Sequence, residues 1–323
     1  MRAPSFWWHP GSTALARLLH PVSRLYGSIA AQRLSQAGER AAVPVICIGN
    51  FTAGGAGKTP TALKVAALLA EAGERPAFLT RGYGGRLPGP LLVADHDATE
   101  VGDEPLLLAR SAPTIVSRDR PAGARLAVEQ AGASVIVMDD GFQNPTLFKD
   151  LSVIVVDGAT GFGNGLALPA GPLRAPLEAQ WPGAHALLVI GAGAPGERAA
   201  TEARRLAKPV FTARLVPDAA LAASLRGQRV LAFAGIGRPE KFFETLRALG
   251  ADVRAIRAYP DHAPYAPDEI TALKAQAAND GLTPVTTEKD AVRLGPLAQG
   301  IAVLPVRLAL DDEAGFRALL MRR

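Results

Sequence analysis

Val43-Pro44-Val45-Ile46-Cys47-Ile48-Gly49-Asn50-Phe51-Thr52-Ala53-Gly54-Gly55-Ala56-Gly57-Lys58-Thr59-Pro60 is an apolar, β-branched run that breaks into glycines and ends in Gly-Lys-Thr. The pattern predicts a strand, a loop and a helix beginning near Lys58. Glycines let the backbone curl so that successive N–H groups face one concavity, and the helix adds its positive N-terminal end. A polyphosphate fits such a loop, with Lys58 reaching its terminal groups and the Thr59 hydroxyl ligating a magnesium ion. Thr52, Ala53, Gly54, Gly55, Ala56, Gly57, Lys58 and Thr59 are therefore the expected nucleotide-binding segment. Thr52 stands where the first glycine of G-x-x-x-x-G-K-[ST] is expected, and Gly54 and Gly55 supply the flexibility instead. P-loop ATPases of the partitioning and metal-delivery type usually carry a signature lysine just before the two glycines. Here that position is Ala53, which counts against a switch ATPase driving a protein partner at the membrane.

Upstream of this loop the charge is uneven. The formal charge is +5, yet the first 38 residues hold Arg2, Arg17, Arg24 and Arg33 and no acid. The rest of the chain is nearly neutral, so a nucleic-acid footprint spread over the fold is not expected. From Ser12 to Leu34, the residues Leu15, Leu18, Leu19, Val22, Leu25, Tyr26 and Ile29 recur at helical spacing, with Arg17, Arg24 and Ser28 opposite. This predicts an amphipathic helix, kinked or restarted at Pro21, that lies on a membrane surface rather than crossing it. Phe6, Trp7 and Trp8 precede it, and such rings favour the headgroup layer. The competing expectation is that the stripe packs on the core. No compact apolar segment followed by a small-residue cleavage site suggests a signal peptide.

The chain has 323 residues, 48% of them apolar and 20% charged, which fits a well-cored protein of two domains. Its one cysteine, Cys47, lies in the first predicted strand, which excludes a disulfide framework and a cysteine metal site and implies a reducing compartment.

Downstream, strands at Pro76 to Thr80, Pro113 to Val116, Ser134 to Asp139, Leu151 to Asp157, Ala184 to Ile190 and Pro209 to Val216 alternate with helical patterns. A second unit repeats the alternation, with strands at Arg229 to Ala234, Asp252 to Ala258, Pro284 to Thr287 and Ile301 to Val306, and a closing helix near Asp312 to Met321. The fold class expected is α/β: a P-loop-containing parallel sheet domain plus a smaller α/β domain, with the N-terminal amphipathic helix. The expected division is 1–38 for the helix, 39–218 for the P-loop domain and 219–323 for the smaller domain. In a parallel sheet, loops after strands gather at the carboxyl edge, so Arg81 and Tyr83 in Arg81-Gly82-Tyr83-Gly84-Gly85-Arg86 are candidates for ligand contact. Asp139 and Asp140 end an apolar strand about eighty residues after the loop, where such a fold keeps the acid that holds magnesium. The irregular run from Gly161 to Arg174 reads as a binding loop, with Arg174 its anion contact. Asp103, at a helix start, reads equally well as a cap.

Gly49-Asn50 with Gly-Gly-Ala-Gly-Lys-Thr-Pro, Arg81-Gly82-Tyr83-Gly84, Gly102-Asp103-Glu104-Pro105, Asp139-Asp140-Gly141-Phe142-Gln143, Leu168-Pro169-Ala170-Gly171-Pro172-Leu173-Arg174, Pro260-Asp261-His262 and Thr287-Glu288-Lys289-Asp290-Ala291 together resemble the tetraacyldisaccharide 4'-kinase family, the lipid A 4'-kinases. The resemblance implies transfer of the ATP γ-phosphate, with Mg2+, to the 4'-hydroxyl of an acylated glucosamine disaccharide 1-phosphate lipid, giving lipid IVA. It implies a peripheral enzyme on the cytoplasmic face of the inner membrane. It also implies that Lys58 and Thr59 bind phosphate and magnesium, and that one of Asp139 and Asp140 holds the metal. Asp103 and His262 match the family's catalytic pair, the aspartate as base and the histidine orienting and tuning it. Arg81, Gln143 and Arg174 remain substrate candidates. Ala175, Asn144 and Ala263 depart from the glutamate, histidine and second histidine that many members have at those places.

Overall fold

The computed structural model describes residues 3–9, 11 and 13–322. Its centre is a nine-stranded sheet. In chain order the strands are β1 (Val45–Gly49), β2 (Pro76–Thr80), β3 (Leu91–Leu92), β4 (Thr114–Val116), β5 (Val135–Asp139), β6 (Leu151–Asp157), β7 (Ala186–Ile190) and β8 (Val210–Pro217). A second sheet contains β9 (Arg229–Ala234), β10 (Asp252–Ala258), β11 (Thr283–Thr287) and β12 (Ala302–Leu304), and β13 (Val306–Leu310) returns to the first. The large sheet has the order β13-β8-β7-β6-β1-β5-β2-β4-β3, and the small one β10-β9-β11-β12.

β1 is central because every residue of it is buried, and a strand covered on both faces needs a continuous apolar run rather than alternation. It pairs in parallel with β5, Ile48 opposite Asp139, and with β6, Gly49 opposite Ile154. These pairings bring the carboxyl ends of β1, β5 and β6 together at the sheet edge where the glycine loop begins. Two cores flank the sheet, one around Phe51, Met138 and Trp181, the other around Val65, Leu68, Phe78 and Phe316.

The expected unit 219–323 is divided by the structure. Pro305 interrupts what reads as one strand, and β13 pairs antiparallel with β8. The closing helix, Glu313–Met321, lies against the Lys58–Glu71 helix, with Lys64 bridging to Glu313 at 2.7 Å. Residues 306–322 therefore belong with the large sheet. The physical reason is the apolar face of Phe316 and Leu320, both fully buried in the large core. The two crossings between the sheets run side by side, with Val306 paired to Pro217 and the Asp218 N–H donating to the Pro305 carbonyl at 2.9 Å. β3 is a further strand that the sequence pattern does not predict, pairing antiparallel with β4.

The N-terminal helix spans Ala14–Leu34, with Thr13 as its cap, and Pro21 sits inside it without ending it. Ser12 and Arg2 lie outside the described residues. Its buried face is made of Ala16, Ser23 and Gly27, and its apolar stripe points outward: Leu18 is 76% exposed, Leu25 66% and Ile29 53%. The stripe does not pack on the core. Among the described residues no helix is long and apolar enough to cross a membrane.

Candidate active site

The glycine loop adopts the expected turn. Gly57, immediately before the Lys58–Glu71 helix, has φ +92°, a left-handed value that a side chain would strain, and a Cβ there would come 2.6 Å from Ile190 Cδ1. At Gly54 and Gly55 a Cβ would meet nothing within 4 Å, so the concavity is open. Asn50, fully buried, ties the loop by donating from Nδ2 to the Gly54 carbonyl at 3.1 Å. The other side is closed by the 161–174 run: Thr52 bridges Leu173, and the Ala53 N–H donates to the Pro172 carbonyl at 2.7 Å.

The two carboxylates at the end of β5 have different partners. Asp139 is 1% exposed, and its Oδ2 accepts from Thr59 Oγ1 at 3.3 Å. Burial pushes its carboxyl up, Glu104 adds to that, and Oδ1 has no hydrogen-bond partner among the described residues. Asp140, at φ +52°, turns to Lys58 at 3.7 Å and takes both arms of the Arg174 guanidinium at 2.9 and 3.1 Å. Burial alone would raise the Asp140 carboxyl, but Lys58 and Arg174 outweigh it and hold it below the usual carboxylate range. A buried carboxylate with one free oxygen, beside a threonine hydroxyl and an open phosphate cradle, fits a magnesium ion. That ion takes one or two protein carboxylates and completes its shell with phosphates and water. Such a shared site needs no cluster of three or more His, Cys, Asp or Glu, and none able to hold a metal occurs among the described residues.

A second cluster lies where the two units meet. Asp103 is the first residue of the helix Asp103–Ala109 and is 2% exposed, but the cap position is Gly102, and the Asp103 carboxylate faces across to the small unit. His262 Nδ1 is 3.2 and 3.1 Å from its two oxygens. Lys289 and Arg293, on the helix Glu288–Leu294 that follows β11, approach Asp103 Oδ2 to 3.9 and 3.4 Å. The Arg293 Nε contact is electrostatic, since that atom makes no hydrogen bond of acceptable geometry. Burial alone would raise Asp103, but the His262 hydrogen bond and the charges of Lys289 and Arg293 carry its carboxyl below the ordinary value. His262 sits at φ +58°, with the ring of Tyr83 edge-on at 5.1 Å.

The substrate candidates separate. Arg174 is bound to Asp140, and Gln143 serves the scaffold, donating from Nε2 to the Asn50 carbonyl at 2.7 Å and to Gln180 at 2.9 Å. Arg81 is exposed at the end of β2, and Tyr83 is 63% exposed. Asn50, Glu104, Lys289 and Arg293 received no role from the sequence. The signal available was position, since Asn50 follows β1 and Lys289 follows β11 at the carboxyl ends of parallel strands.

A family model described as Tetraacyldisaccharide-1-P 4'-kinase matches residues 15–323. The chain belongs to this family. It is 62% identical to a tetraacyldisaccharide 4'-kinase of Methylobacterium sp. (strain 4-46), over 99% of this chain and 97% of that one. It is 54% identical to that of Rhodopseudomonas palustris (strain BisA53), over 99% and 95%. Among solved structures, LpxK from Aquifex aeolicus in complex with ATP superposes with a TM-score of 0.74 at 27% identity, covering 95% of this chain and 99% of that one. A tetraacyldisaccharide-1-P 4'-kinase is a phosphotransferase, and the switch-ATPase reading is not favoured.

Proposed function

We propose that this kinase binds magnesium-ATP on the Thr52–Thr59 loop and transfers the γ-phosphate to the 4'-hydroxyl of tetraacyldisaccharide 1-phosphate, with Asp103 as base. The observation that carries the assignment of the base is the Asp103–His262 contact, made by residues 159 apart in the chain, one on a helix between strands of the large sheet and the other on a loop after a strand of the small one. Lys58 binds the terminal phosphates. Thr59 and Asp139 would hold the magnesium ion, which would supply neutralisation of the charge that develops on the transferring phosphoryl group. Asp140 positions Lys58 and Arg174, so the cationic side of the cradle is set before nucleotide arrives. Asp103, held ionised by its neighbours, takes the proton from the acceptor hydroxyl as the new P–O bond forms.

The acceptor is an amphiphile, and the exposed Leu18, Val22, Leu25 and Ile29 face is suited to the headgroup plane of the membrane holding it. We assign this face to the cytoplasmic surface of the inner membrane. The test of the kinase reading is transfer of labelled γ-phosphate from magnesium-ATP to tetraacyldisaccharide 1-phosphate in mixed micelles, comparing wild type with Lys58→Ala. Label in the lipid with wild type alone is the expected result; label released only as free phosphate sinks it.

A further inference from the structure

Trp7 grips the 161–174 run twice. Its indole Nε1 donates to the Pro169 carbonyl at 3.0 Å, and its own carbonyl accepts from the Asn164 N–H at 2.7 Å. Between these two points the Asn164 side chain staples the run to itself, with Nδ2 donating to the Ala170 carbonyl at 2.9 Å and Oδ1 accepting from the Leu166 N–H at 3.1 Å. The approach is close: Gly163 stands at φ +62°, and a Cβ there would come 2.5 Å from the Trp7 carbonyl oxygen. An irregular run has no ladder to satisfy its backbone groups, so its shape depends on specific partners of this kind.

The far limb of the same run forms one wall of the phosphate cradle. The Arg174 N–H donates to the Phe51 carbonyl at 2.8 Å, Arg174 Nε donates to the Thr52 carbonyl at 3.2 Å, and the Pro172 carbonyl accepts from the Ala53 N–H. The Phe51 ring stacks on Phe162 with centroids 5.6 Å apart. The entry to the glycine loop is therefore held by the run, and the guanidinium that grips Asp140 leaves from the same backbone. The two limbs are tied to each other, the Leu168 N–H donating to the Leu173 carbonyl at 2.9 Å and the Leu173 N–H to the Leu166 carbonyl at 3.0 Å. We propose that Trp7 is a positioning residue of the nucleotide site: by clamping the 161–174 run it holds Phe51, Thr52, Ala53 and Arg174 in the arrangement that receives magnesium-ATP. The inference rests on the assignment of the Thr52–Thr59 loop to ATP, and on neither the identity of the base nor the membrane face. A site competent only while the run is clamped binds nucleotide in proportion to the clamped fraction. The linkage is reciprocal, so bound nucleotide holds the clamp in turn.

The test uses the full-length protein without lipid, with magnesium-ATP binding followed by calorimetry and backbone amides by hydrogen exchange. Trp7→Phe keeps an aromatic ring and removes the indole N–H. Its Kd for magnesium-ATP should rise ~3–10-fold, the factor one net hydrogen bond is worth. Trp8→Phe, which leaves both Trp7 bonds in place, should bind as wild type does. In Trp7→Phe the Asn164 and Ala53 amides should exchange faster while those inside the Lys58–Glu71 helix keep wild-type rates, which a loss of overall stability would not allow. With lipid acceptor present, KM for ATP should rise and kcat should stay. In wild type, saturating magnesium-ATP should slow the Asn164 amide, a result that needs no variant to fold. An unmoved Kd in Trp7→Phe, or an Asn164 amide indifferent to nucleotide, overturns the inference. Equal weakening by Trp8→Phe, or faster exchange throughout the large unit, does so too and leaves Trp7 with general stability alone. A lowered kcat with an unmoved Kd overturns it in favour of a contact to the acceptor or its membrane. If wild type itself does not bind magnesium-ATP, the assignment of the loop fails and the inference falls with it.

Discussion

Burial pushes Asp139 up while Lys58 and Arg174 hold Asp140 down, although the two carboxylates are consecutive. Asp139 ends the strand and stays inside, whereas Asp140 turns off the strand axis at φ +52° into the cationic side of the loop. The sequence could not assign the two roles, because both carboxylates follow the same apolar run and only the turn separates them. Arg174→Lys keeps the charge and loses the two-armed grip on Asp140. Turnover should fall by ~100-fold, the lower end of the range for losing a preorganised donor, with ATP affinity nearly kept, as a filter-binding assay would check. Asp103 permits a prediction in pH. Its folded pKa lies below the ordinary carboxylate value, so its ionised form stabilises the fold above about pH 4 and that contribution is lost as pH falls through the folded pKa. Asp103→Asn should therefore melt lower than wild type at pH 7, and the gap should narrow on acidification below about pH 4. A gap that stays constant with pH would remove the linkage. Cys47 is fully buried, and burial pushes its thiol up to about 12. It should resist a disulfide reagent in the native protein and react once guanidinium unfolds the chain.

Among the elements, the N-terminal helix was legible as amphipathic and illegible in its orientation. Periodicity locates an apolar face without saying what covers it. The better signal was the opposite face, where Ala16, Ser23 and Gly27 allow close approach to the 161–174 run. Ser23 Oγ donates to the Ala167 carbonyl at 2.7 Å, and a Cβ on Gly27 would come 3.1 Å from Pro176 Cγ. Trp7, which composition alone would send to the headgroups, donates from its indole to the Pro169 carbonyl at 3.0 Å. Ala167 in turn bridges Leu173, and Leu173 bridges Thr52, so the helix is joined to the glycine loop through one short run of backbone. Replacing the outward Leu18, Leu25 and Ile29 together with serine should abolish co-sedimentation with anionic liposomes and leave the melting temperature within a few degrees. Unchanged sedimentation would remove the membrane assignment. Gly27→Leu acts on the inward face and should destabilise the fold by ~1–3 kcal/mol through overpacking, measurable as a lower urea midpoint.

At the scale of the whole molecule, alternating strands and helices made both parallel sheets legible, but not the return of β13 to the first sheet. An antiparallel edge strand added 89 residues after β8 ends has no local signature, since its partner is chosen by the core that Phe316 completes. The Asp103–His262 pair likewise could not be read from spacing and came from family resemblance, because the chain between its members forms five strands of the large sheet and two of the small one. The same separation makes the site depend on how the units are held. Two crossings lie side by side at Pro217–Asp218 and Pro305–Val306, an arrangement suited to a hinge. Away from it, Asp157 at the end of β6 pairs with Arg238 and, at 2.6 Å, with Lys241 on the small unit. Arg238 and Lys241 are 37% and 50% exposed, so solvent screening keeps these bonds near the ~0.2–1 kcal/mol of surface pairs. Together they would shift an open-to-closed balance by about fivefold. Asp157→Asn should therefore increase the radius of gyration measured by small-angle scattering and lower kcat by a similar factor, while ATP binding to the loop of the large unit holds. Added salt should bring wild type toward the variant, because screening weakens the same pairs. If scattering and turnover match wild type at low salt, these bonds do not hold the two halves of the site together, and the hinge is closed by the Asp103 cluster alone.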